Sequence, residues 1–193
     1  MLLTRFTRVA LCCALSVLPA FAFAHPGHDE SGLLAGVVHP LSGMDHLLAM
    51  FAVGLWAAQQ QANARWMLPV TFVGCMLLGG LLGFTGFALP YLETGIAASV
   101  LALGLLVAVA ARPPLAMSIV ITGFFGVIHG IAHGLELPEM SSPTGFAAGF
   151  VIATSALHAA GYALSRWTPV AGVPIIRSIG LVSAGIGGLL LVG

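Results

Sequence analysis

After residue 39 the chain alternates between long apolar stretches and short polar breaks. The stretches run at roughly Pro40–Ala58, Trp66–Leu89, Leu92–Ala111, Leu115–Leu135, Gly145–Ser165 and Ile175–Val192. Each approaches the about 20 apolar residues that a helix needs to cross a bilayer. The breaks collect the polar and helix-stopping residues: Gln59 to Arg65, Pro90, Arg112-Pro113-Pro114, Pro138 to Pro143 and Arg166 to Pro174. A shorter apolar run, Val9–Leu18, follows Arg5 and Arg8 and precedes Ala22-Phe23-Ala24. That is the layout of a secretory signal peptide cleaved after Ala24; an uncleaved first helix is the alternative, for which the run is short. The pattern predicts an all-α polytopic membrane protein: a signal peptide over 1–24, an outward-facing His-rich tail over 25–39, and six transmembrane helices over 40–193.

Composition sharpens this picture. Of 193 residues, 59% are hydrophobic and only 6% charged, too few charges for a water-soluble globular enzyme. Six Arg balance six acidic residues and there is no Lys, which excludes a nucleic-acid-binding surface. So high a hydrophobicity also excludes intrinsic disorder. With the mature N-terminus outside, Arg65, Arg112, Arg166 and Arg177 all fall at cytoplasmic loops or helix ends, as the positive-inside rule requires. Asp29, Glu30, Glu93, Glu136 and Glu139 then face outward. The expected location is a bacterial inner membrane, with both mature termini periplasmic. Loops this short hold no soluble domain, so any chemistry sits in or at the membrane. Cleavage would remove Cys12 and Cys13 and leave Cys75 without an intrachain partner. Small residues at helical spacing (Gly79 and Gly83; Gly126, Gly130 and Gly134; Gly145 and Gly149) let helix backbones approach closely in lipid.

In so apolar a chain, ionisable groups at membrane depth are costly and mark function. Two concentrations stand out: His39-Pro40-Leu41-Ser42-Gly43-Met44-Asp45-His46, and His129-Gly130-Ile131-Ala132-His133-Gly134-Leu135-Glu136. His129 and His133, four apart, share a helix face one turn apart, a spacing that suits two imidazoles on one ion. Glu136 returns to that face. His39 and His46 are seven apart, Pro40 suits a first helical turn, and Gly43 permits a bend. At 1.5 Å per residue, Asp45 and His46 lie about 8–9 Å in from Pro40, His133 about 8 Å and His129 about 14 Å in from Pro138. The two motifs are thus expected to meet near the outer face, holding one divalent cation between imidazoles of two helices, with carboxylates offsetting its charge. Two softer candidates remain. His25 and His28, beside Asp29 and Glu30, form either a chelating tail or a solvated one. His158, in the inner half of the fifth stretch, offers a relay ligand toward the cytoplasm or an interhelical hydrogen bond.

At these residues the chain resembles the HupE/UreJ family of nickel permeases. The family's H-x5-D-H motif is matched by His39, Asp45 and His46, and its F-H-G-x-A-H-G-x-E motif by His129 to Glu136, with Ile128 standing where Phe is frequent. The resemblance covers essentially the whole chain and implies uptake of Ni2+, or Co2+, as transported substrate, with no organic cofactor. Spacing alone specifies only a site of nitrogen and oxygen donors, which suits Zn2+ as well. No G-x-x-x-x-G-K-[ST] motif is present to power transport by ATP. Two other classes use the same residues. A membrane metallohydrolase would need an activated water and a base such as Glu136 or Asp45, and a haem protein would need axial His from facing helices.

Overall fold

A computed structural model describes residues 32–137 and 142–193, and among them every regular element is helical. In chain order these are α1 (Gly32–Ser42), α2 (Met44–Gln59), α3 (Ala64–Phe84), α4 (Leu92–Ala108), α5 (Leu115–Leu135), α6 (Pro143–Trp167), a 3-10 turn (Val170–Gly172) and α7 (Val173–Val192). By length and composition α3, α5, α6 and the Val170–Val192 segment are each able to cross a membrane, and α1 with α2 make a fifth candidate as one bent pair. The 17-residue α4 is apolar but shorter. Exposed Val70, Leu78, Val120, Phe124, Leu181 and Leu189 give the outside of the bundle an apolar surface. With water absent from the bilayer core, helices that satisfy their own backbone present such a surface to lipid. The chain is a membrane protein.

The largest departure from the expected boundaries is at the start. The first apolar stretch does not begin a straight helix at Pro40. Helix begins already at Gly32, Pro40 lies inside α1, and the axis turns by 85° between α1 and α2. Gly43 makes the break, with extended backbone (φ −94°, ψ 119°). A Cβ there would sit 2.8 Å from Asp45 Oδ1 and 3.1 Å from His46 Nδ1, so glycine leaves room for these two side chains as they stand. Other boundaries shift by a few residues: α3 stops at Phe84 ahead of Gly86 (φ 85°), and α4 stops at Ala108 ahead of Ala110 (φ 51°). Ser142 caps α6 by accepting from the Gly145 N–H at 3.2 Å, with Pro143 at the first helical position.

The small residues do what their spacing implies. A Cβ on Gly130 would strike the Met76 carbonyl, and one on Gly134 that of Gly80, so α3 and α5 touch backbone to backbone. Gly36 and Gly149 do the same for α1 and α6, Gly54 and Gly161 for α2 and α6, and Gly104, Gly180 and Gly187 for α4 and α7. The bundle is therefore three tightly locked sets, with α2 at the centre burying Ala49, Met50, Val53, Leu55 and Trp56. One end is tied by polar side chains on carbonyls left free at helix ends. Trp56 Nε1 and Gln60 Nε2 donate to Ala111 O at 2.9 Å, Gln59 Nε2 to Val107 O at 3.0 Å, Arg112 Nε to Gln59 O at 2.8 Å and Arg177 Nε to Ala108 O at 2.6 Å. The histidine motifs occupy the opposite end.

Candidate metal centre

The first and second motifs meet. His46, in the first turn of α2, lies with its ring centroid 4.4 Å from that of His133 and 4.9 Å from that of His129, both on α5. His39, in the last turn of α1, is 4.8 Å from His133 and 6.4 Å from His46. His39 and His46 do not share a helix face as their seven-residue spacing suggested. They converge because the bend at Gly43 folds α1 across the end of α2. The i, i+4 expectation for His129 and His133 holds, since α5 is continuous through both.

Five of the six residues form two adjoining groups. One ligand atom each from His46, His129 and His133 fall within 4.8 Å of one another, and so do those of His39, His133 and Glu136. His133 belongs to both. The first group is buried, while Glu136 is exposed just past the end of α5, where its backbone N–H still donates to Ala132 O at 3.0 Å. His39 Nε2 donates to Glu136 Oε2 at 2.9 Å, and this bond, aided by the imidazole's charge when protonated, holds the Glu136 carboxyl below its ordinary value. Asp45 belongs to neither group. Its Oδ1 accepts from both the backbone N–H (2.7 Å) and the Nδ1–H (2.8 Å) of His46, so it orients that ring.

Hydrogen bonding assigns the imidazole tautomers. A carboxylate only accepts, so the proton of His46 is on Nδ1 and the lone pair on Nε2. Ser99 on α4 gives its single hydroxyl proton to Ile96 O at 2.6 Å, so its 2.8 Å contact with His129 Nε2 must be one in which histidine donates. The His129 lone pair is then on Nδ1. His46 Nε2, His129 Nδ1 and both nitrogens of His133 are all buried without a hydrogen-bond partner. Buried polar atoms are nearly always satisfied. Three neighbouring buried imidazoles with unpartnered nitrogens share a need that a positive centre would meet. Neutral imidazole nitrogen with carboxylates behind it suits a divalent transition-metal ion.

Aromatic rings close this space. Phe150 of α6 lies 3.9 Å from His133, Phe146 lies 5.6 Å from His39, and Phe72 of α3 lies 5.6 Å from His129 and 5.3 Å from His158. A cavity of about 400 Å³ between α3, α5 and α6 reaches His133. His158 is buried but lies one level further along α6, beyond Phe72, and joins neither group. His25 and His28 lie outside the described residues. Sequence reasoning missed Ser99, because a lone hydroxyl in an apolar run carries no signal of its own.

Residues 13–190 match the family described as HupE / UreJ protein. The chain is 43% identical over 190 residues to Protein HupE of Rhizobium leguminosarum bv. viciae, covering 98% of this chain and 100% of that one. No solved structure matches.

Proposed function

Because the chain belongs to the HupE / UreJ family, we propose that it is a permease carrying a divalent transition-metal ion inward across the bacterial inner membrane. The substrate is Ni2+ first and Co2+ second. In this reading the α1–α2 pair and α4 are crossings too, six in all, with both mature termini periplasmic and the four loop arginines cytoplasmic. The observation that carries the proposal is the trio of unpartnered imidazole nitrogens of His46, His129 and His133, drawn from two helices into one buried space.

The two groups suggest an order of events. His39 and Glu136 stand at the exposed mouth, where a carboxylate attracts the hydrated ion and imidazole begins to replace its water; the segment ahead of α1, with His25 and His28, would collect it first. His133, common to both groups, passes the ion to His46 and His129. Asp45 keeps His46 in the ligating tautomer, and Ser99 does the same for His129. Release is past His158. No ATP is required: a divalent ion moving inward through 100 mV gains about 4.6 kcal/mol, roughly three decades of accumulation.

The test is uptake of Ni2+, Co2+ and Zn2+, measured by mass spectrometry of cells that express the chain. The reading expects Ni2+ accumulation above empty-vector cells, with Co2+ weaker. No accumulation of any of the three, with the protein present in the membrane, overturns it.

A further inference from the structure

One turn further along the bundle from the imidazoles is a second convergence of donors. Met50 follows His46 by four residues on α2, and Thr154 follows Phe150 by four on α6, so each continues the face that lines the candidate centre. The Thr154 hydroxyl faces Met50 Sδ at 3.2 Å and Met76 Sδ, from α3, at 3.7 Å. All three residues are buried to within 1%. A threonine inside a helix ordinarily returns its hydroxyl to the carbonyl one turn back, as Thr122 does to Ser118 O at 2.7 Å. Thr154 turns to two thioethers instead, which are weak acceptors. One turn beyond it, His158 is 3% exposed with both ring nitrogens unpartnered.

Location gives this cluster its meaning. Met76 lines the cavity of about 400 Å³ that reaches His133. His158 lines a different cavity, of about 470 Å³, walled by Arg65, Trp66, Val73 and Tyr162 toward the arginine end. The cluster thus separates the two. Building on the transport reading, we propose that Met50, Met76, Thr154 and His158 form a second cation station, which takes a partly dehydrated borderline transition-metal ion through thioether sulfur and imidazole nitrogen. The donor set contains no carboxylate. Hard ions such as Mg2+ and Ca2+ demand oxygen ligands and retain water, whereas thioether and imidazole favour softer ions. A carboxylate-bearing entrance followed by a neutral sulfur-bearing station therefore discriminates at the second step.

The experiment uses the full chain with its cysteines replaced (C12A/C13A/C75A), so that methionine is its sole sulfur. Purified protein carrying His46→Ala, to disable the outer imidazole trio, is loaded with Ni2+ and its nickel-edge X-ray absorption recorded. The proposal expects a sulfur shell around nickel, lost on adding M50L/M76L, a volume-conserving change. It also expects M50L/M76L in an otherwise cysteine-free chain to lower Ni2+ uptake about tenfold at equal membrane abundance, the low end for loss of metal-site support. Absence of sulfur scattering in the first sample, or uptake within about twofold of the parent, overturns it. Should M50L/M76L fail to accumulate, His158→Phe read by the same two assays decides. The two proposals fail separately: a parent that does not take up Ni2+ removes the transport reading, while the absorption spectrum still rules on the station.

Discussion

His133 is the residue common to both donor groups, and both of its ring nitrogens are buried without a partner. Replacing it with Ala should leave Ni2+ uptake at background while protein persists in the membrane, as an uptake assay beside an immunoblot will register. Asp45→Asn is a subtler change. An amide in that place can donate to His46 Nδ1 and favour the wrong tautomer, so the half-saturating Ni2+ concentration should rise about 10- to 100-fold. The dependence on pH has a defined sign. Imidazole must be neutral to ligate, so protons only compete with the ion and uptake should never rise as pH drops from 7 to 5. The hydrogen bond from His39 keeps Glu136 ionised across that window, and a carboxylate with a lowered pKa loses its charge only below it. Uptake that rises toward pH 5 would count against ligation by imidazole.

The helices were largely legible in the chain because apolar runs bounded by Pro, Gly, Gln and Arg leave few other choices in a bilayer. Their pairing was legible in part, since Gly130 and Gly134 announce a close backbone approach without naming the partner. What could not be read was the 85° turn at Gly43. Pro40 and Gly43 fit both a helix start with a kink and a break between two helices, and only packing of α1 on α6 through Gly36 and Gly149 selects the second. The consequence for the centre is direct, because His39 reaches His133 across that corner and not along a helix face. Gly43→Ala should displace the Asp45 carboxylate that lies 2.8 Å from the added Cβ, lowering uptake without loss of the folded bundle. Gly130→Leu should do worse, forcing α3 from α5 at a cost of about 1–3 kcal/mol or more. Reduced membrane abundance and earlier thermal unfolding in detergent would register that cost.

Viewed as one body, the bundle divides where its glycines do not lock it. α3 and α5 hold each other backbone to backbone, as do α6 with α1 and α2, yet the seam between α3 and α6 opens into the cavities of about 400 and 470 Å³. His129 and His133 belong to the first set and His39 and His46 to the second, so a cation held among them spans the division. Packed elements that rotate against each other do so as units, and a relative rotation of α3–α5 against α6 would change the openings at His133 and His158. Cysteines at Leu81 and Ala147, on facing walls of the opening near His133, should arrest uptake when joined by a flexible bifunctional reagent in a C75A chain. Uptake undiminished by complete cross-linking would show that this seam does not move.

All of this depends on imidazoles from α2 and α5 sharing one cation in the course of its passage. The most direct measurement is Ni2+ entry into liposomes that contain purified protein and an internal fluorescent chelator, comparing the parent with His46→Ala and His133→Ala at equal incorporation. Entry with the parent and none above empty liposomes with either variant is the result required. Parent-like entry with either one would mean that the ion crosses without the pairing of these two helices.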